Sequence, residues 1–110
     1  MKKELEIYEL VLLLKFTLTE PEVLQKLDYY KNLLTAKGSQ VMVKNYGKKS
    51  LAYPIKGFDM AISIQLVYLG NGNIVKLLNT EIQRDESILR AITTKLVDQT
   101  ISKEYKSLLQ

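Results

Sequence analysis

Between Phe16 and Val23 the spacing of apolar residues changes character. Before it they fall at every second position, with Leu10, Leu12, Leu14 and Phe16 on one face. After it they recur as Val23, Leu27, Tyr30 and Leu34, the i, i+4, i+7, i+11 stripe of a core-facing helix. The junction, T-E-P-E, reads as a helix start. Thr19 can cap, Glu22 completes a capping box, and Pro21 lies in the first turn, where its missing N–H costs little. A strand over 7–16 followed by a helix over about 20–37 is therefore expected, closed by Lys37 near the C-terminal dipole and Gly38 in a left-handed position. The other face of the first strand, Ile7, Glu9, Val11, Leu13 and Lys15, is apolar in its middle, which places this strand inside a sheet rather than at its edge.

The switch occurs twice. Residues 40–46 alternate as a strand with Val41 and Val43 on one face, and alternation resumes at Leu51 and reaches Ile55, so Gly47 reads as a bulge or bend. Gly57 breaks the segment, and Met60 to Tyr68 forms its hairpin partner. G-N-G, Gly70 to Gly72, is a turn, with Asn73 as the expected N-cap of a short helix carrying Ile74, Leu77, Leu78 and Ile82. Asp85 and Glu86 turn the chain into a last strand, Ile88 to Leu96. The order βαββαβ predicts an α+β, ferredoxin-like split β-α-β domain over 5–97: a four-stranded antiparallel sheet with two helices on one face. Residues 98–110 form a C-terminal tail whose spacing of Ile101, Tyr105, Leu108 and Leu109 allows either a short helix or a loose end.

This architecture hosts enzymes, RNA binders and regulatory domains, so function must be read from side chains. The 110 residues contain neither cysteine nor histidine, which removes thiol chemistry, the commonest general base and the commonest metal ligand. No catalytic, cofactor or metal site is expected. An acylphosphatase-like site would need an arginine loop after the first strand, and the loop TLTEP is acidic. Glu20, Glu22, Asp85 and Glu86 are accounted for as helix-start and turn residues, and G-N-G lacks the spacing and lysine of a P-loop. No apolar run reaches the roughly 18 residues of a membrane span. The opening MKKELEIYEL runs directly into a strand pattern, so no targeting peptide is expected and the protein should work where it is made.

The charge balance, 16 Lys+Arg against 12 Asp+Glu for a net +4, permits an anionic partner without requiring one. The open sheet face of the first and third strands has no aromatic, so stacking of single-stranded RNA on the sheet is not expected; nucleic acid would be met by charge at strand ends and loops. Lys48, Lys49, Lys56, Arg84, Arg90 and Lys95 bracket those ends and are the candidate RNA- or partner-binding residues. The competing reading is that such lysines keep an edge strand from aggregating, which Pro54 also suits. Tyr53 is expected to be a packing residue, in line with Leu51 and Ile55.

The run GKKSLAYPIKG, Gly47 to Gly57, resembles the hallmark of the bacterial-type ribosomal protein S6 family. YELVLLL, with Tyr8 and Glu9, is similar to the family's first strand, and RDESILRAITTKL, with Asp85 and Arg90, to its turn and last strand. Ser50 is smaller than usual for the family, the connection KGFD is shortened, and the strand after it lacks the usual aromatic cluster. The resemblance implies a structural component of the small ribosomal subunit. Its partners would be the central domain of small-subunit rRNA and ribosomal protein S18, with no membrane, cofactor or small-molecule substrate. The lysine- and isoleucine-rich composition favours a plastid (chloroplast) stroma over a bacterial cytoplasm. The alternative is a ferredoxin-like regulatory or assembly domain that binds a protein or small ligand through its open sheet face.

Overall fold

The computed structural model describes residues 6–96. The tail expected over 98–110 lies outside them. The elements are β1 (Glu6–Lys15), α1 (Glu20–Ala36), β2 (Val41–Ile55), β3 (Phe58–Gly70), α2 (Gly72–Gln83) and β4 (Ile88–Lys95). The strands form one antiparallel sheet in the order β2-β3-β1-β4, the ferredoxin-like arrangement, with β1 and β3 central.

Both helices lie on one face. Leu10, Leu12 and Leu14 of β1 and Ile62, Ile64, Leu66 and Tyr68 of β3 meet Val23, Tyr30 and Leu34 of α1 and Ile74, Leu78 and Ile82 of α2 in a single cluster. Tyr8 stacks on Tyr68, ring centroids 5.7 Å apart and planes 22° from parallel. Among the described residues the Tyr68 hydroxyl finds no hydrogen-bond partner, and the ring serves packing. The helix-free face is not bare. At one end Ile7 and Val67 are buried with Met42, Leu69 and Leu96 around them.

The capping box forms as expected. Thr19 Oγ1 accepts from Glu22 N at 3.3 Å, and Glu22 Oε1 accepts from Thr19 N at 2.8 Å. The bond to the Thr19 backbone holds the Glu22 carboxyl below its ordinary pKa. The start of α2 corrects the sequence reading. Asn71, in extended backbone, is the N-cap, and its side-chain oxygen accepts from Asn73 N at 3.0 Å and Ile74 N at 3.2 Å. Asn73 already lies in the first helical turn, because the sheet runs to Gly70 and leaves one residue to cap the helix.

β2 is one long edge strand rather than two short ones. Its register shifts between Asn45 and Gly47, where Gly47 has φ +76°, so the glycine marks a bulge as expected. The β2–β3 turn holds Lys56 at φ 50° and Gly57 at φ 85° between the paired Ile55 and Phe58. Positive φ at both central residues is the type I′ hairpin geometry, which Asn-Gly suits best. Lysine in the left-handed region carries a steric cost between Cβ and the carbonyl. Lys56→Asn is expected to raise the unfolding free energy by about 0.5–1 kcal/mol, read as a Tm increase of a few degrees. A Tm at or below wild type would show that the lysine side chain stabilises the turn.

Candidate nucleic-acid interface

From Val41 to Phe58 the chain contains Lys44, Lys48, Lys49 and Lys56 and no Asp or Glu. Four positive charges on one edge strand and its turn equal the net charge of the whole protein, +4. Elsewhere the two signs are interspersed. Among the described residues, Lys48, Lys49 and Lys56 have no carboxylate partner.

The register separates Lys48 from Lys49. Lys48 is opposite Ile62, on the helix side, and its Nζ lies 6.0 Å from the Phe16 ring centroid. It lines a recess of about 570 Å³ whose other walls include Thr19, Glu20 and Leu24 at the start of α1. Lys49 is opposite Ala61, on the helix-free side, with Nζ 5.0 Å from the Tyr46 ring centroid. Tyr46 in turn donates to Gln65 Oε1 at 3.1 Å, and Gln65 Nε2 donates to Glu9. Neighbouring Tyr8 and Glu9 of β1 are thereby divided, Tyr8 to the core and Glu9 to the other face.

The six candidate residues do not form one patch. Lys56 at the hairpin tip and Arg90 of β4 line a common recess of about 410 Å³, which Asp85 and Glu86 also border. Arg90 is exposed and opposite Leu13, which puts it on the helix-free face with Lys49 but at the other edge of the sheet. Arg84 ends α2, and its guanidinium sits 3.7 Å from Glu81 with the side chain mostly in solvent. Lys95 pairs with Glu6 at 3.4 Å. Arg84 and Lys95 thus differ from Lys48, Lys49 and Lys56 in having a carboxylate at hand.

Asp85 has a structural role. Its carboxylate accepts from Lys26 Nζ at 2.9 Å, Tyr30 OH at 3.1 Å, Ser87 N at 3.0 Å and Ser87 Oγ at 2.6 Å. It ties α1 to the turn between α2 and β4. Burial, then the Asp85 carboxylate, hold the Tyr30 phenol protonated far above its ordinary range. Beside it Tyr29 OH donates to Glu81, which raises the Tyr29 pKa. Among the described residues no cluster of three or more His, Cys, Asp or Glu could hold a metal.

Tyr53 corrects the sequence reading. Its side chain is 81% exposed, whereas Leu51 and Ile55 are half-buried. The cause is a second break in register. Between Ser50↔Met60 and Ile55↔Phe58, β2 has four residues, 51–54, where β3 has one, 59. Pro54, which has no N–H to give a ladder, falls in this excess. The segment bows out from β3, and strict alternation no longer predicts which way a side chain points. The proline was the one sequence signal of this break. Exposed Tyr46 was hidden for a similar reason, because it sits at the Gly47 bulge.

A family model for ribosomal protein S6 matches residues 7–95, most of the chain and nearly every element described above. The chain belongs to the ribosomal protein S6 family. Small ribosomal subunit protein bS6c of Guillardia theta is 33% identical over 94 residues, 84% of this chain and 98% of the relative. Small ribosomal subunit protein bS6 of Rippkaea orientalis is 36% identical over 92 residues, 83% and 74% of the two chains. A crystal structure of 30S ribosomal protein S6 from Thermotoga maritima superposes with TM-score 0.81 at 18% identity, covering 97% of this chain and all of that one, a likeness of fold. The S6 family is a structural component of the small ribosomal subunit and not an enzyme, in keeping with a chain that has no histidine or cysteine.

Proposed function

We propose that this S6 family member binds the central domain of small-subunit rRNA together with ribosomal protein S18, and that β2 and its turn contribute phosphate contacts. The observation that carries this reading is the acid-free run Val41 to Phe58, in which Lys48, Lys49 and Lys56 have no carboxylate partner among the described residues. Positive charge without local neutralisation is the electrostatic footprint of a polyanion partner. Lys48, Lys49 and Lys56 are its leading residues. Arg90 joins them through the recess that it shares with Lys56. Arg84 and Lys95 are secondary, since each already has a carboxylate neighbour. The ribosome in question is proposed to be that of a plastid, with a bacterial cytoplasm as the alternative; the lysine-rich composition supports the first, and the relatives include both bS6c and bS6 proteins.

The test is binding of the heterodimer with S18 to a central-domain rRNA fragment across a salt series. Lys48→Glu with Lys49→Glu is expected to weaken binding and to flatten the slope of log affinity against log salt by roughly 0.7–0.9 for each phosphate that is no longer neutralised. Unchanged affinity and slope would remove these two lysines from the interface.

A further inference from the structure

Among the described residues, three tyrosines keep much of their surface in water: Tyr29, Tyr46 and Tyr53. Two of them are engaged. Tyr29 bonds Glu81 and meets the Tyr30 ring edge-on at 5.2 Å. Tyr46 bonds Gln65 and carries the Lys49 ammonium over its ring. Tyr53, the most exposed of the three at 81%, has no partner for its ring or its hydroxyl among the described residues. A free aromatic ring in water forfeits the burial that usually places tyrosine in a fold. Here it is held out by the four-residue excursion of β2 and by Pro54 beside it, on backbone rather than on a loose loop.

Its surroundings point to one kind of ligand. The ring stands inside the acid-free run, with Lys49 four residues before it and Lys56 three residues after it. An exposed π-face between unneutralised cations is complementary to a nucleobase between its flanking phosphates. A duplex cannot use the ring in this way, because its bases are stacked and paired inside the helix.

We propose that Tyr53 stacks on an unpaired base of RNA while Lys49 and Lys56 meet the adjacent phosphates. The inference rests on the RNA-binding reading above and adds the form of RNA recognised. The stacking that the central strands cannot offer is moved to the edge strand.

The experiment uses the full chain at low ionic strength, with two probes: a short oligouridylate and a blunt RNA duplex of the same length. Tyr53→Ala is expected to weaken oligouridylate binding about tenfold, equivalent to about 1.4 kcal/mol, and to leave duplex binding unchanged. Tyr53→Phe, which keeps the ring, should stay within about twofold of wild type on both probes. Since no charge is removed, the salt slope of Tyr53→Ala should match wild type. The side chain is mostly in water and has no ring or hydroxyl partner among the described residues, so each variant should melt with the wild type. Equal weakening of Tyr53→Ala on both probes, or no weakening on either, would overturn stacking and leave the RNA-binding reading in place. A Tyr53→Phe variant as weak as Tyr53→Ala would overturn it too, by assigning the effect to the hydroxyl. A wild-type chain that binds neither probe would overturn this inference, while the RNA-binding reading would still stand or fall by the heterodimer experiment above.

Discussion

Asp85→Ala is expected to lower the unfolding free energy by about 3 kcal/mol, because one substitution strands partners both on α1 and in the turn before β4. Lys26 on α1 loses its 2.9 Å ion pair, Tyr30 keeps a part-buried hydroxyl without an acceptor, and Ser87 loses both of its bonds in the turn. The pH dependence follows from the same groups. Burial pushes the Asp85 carboxyl up, but the bonds from Lys26, Ser87 and Tyr30 outweigh it and hold the carboxyl below its ordinary value of 3.8. A carboxyl whose folded pKa is depressed contributes its stability above the unfolded pKa. That contribution is lost as pH falls through the folded value. Wild type should therefore lose stability as the pH drops below about 3.8, and Asp85→Ala should show less of this acid dependence. Urea unfolding at neutral and at acid pH measures both effects. A neutral-pH loss under about 1 kcal/mol would mean that the cluster is solvated and contributes little.

Leu12→Ala and Leu13→Ala, one residue apart in the run LVLLLK, are expected to differ several-fold in cost. Leu12 is 1% exposed and packs under both helices, so its truncation should cost about 3–4 kcal/mol in transfer and cavity terms. Leu13 points to the helix-free face and is half-buried, opposite Ser63 and Arg90, so its truncation should cost under about 1.5 kcal/mol. Chemical denaturation of the two variants side by side is the measurement. Equal costs would show that the second face is covered as fully as the first.

That pair shows why β1 was only partly legible. Alternation set Ile7, Glu9, Val11, Leu13 and Lys15 apart as the open face, as the structure has it, but nothing local says how far that face is covered. The helices themselves were readable, because their signals are local. The Thr19 capping box, the Val23 to Leu34 stripe and Gly38 each act within a few residues. Asn71 was displaced by two positions because Asn71 and Asn73 are chemically equal caps. Only the end of β3 at Gly70 chooses between them.

The candidate site was legible in charge and not in direction. Lys48 and Lys49 read as a pair, yet in a strand neighbours face opposite ways, and the register sends one to the helix side and the other to the open side. Asp85 read as a turn residue. Its bonds reach 55 residues back to Tyr30 and slightly further to Lys26, which no local pattern encodes.

Local chemistry in the sequence alone therefore determined the element order, the start of the first helix, the lack of histidine and cysteine and the motif GKKSLAYPIKG. Those depend on spacing, caps and residue type. Tertiary structure decided how far the second face of the sheet is covered and where each lysine points. It also put Tyr53 in water. The reason for the last is pairing: β2 carries four residues against one of β3, and only the partner strand defines that excess.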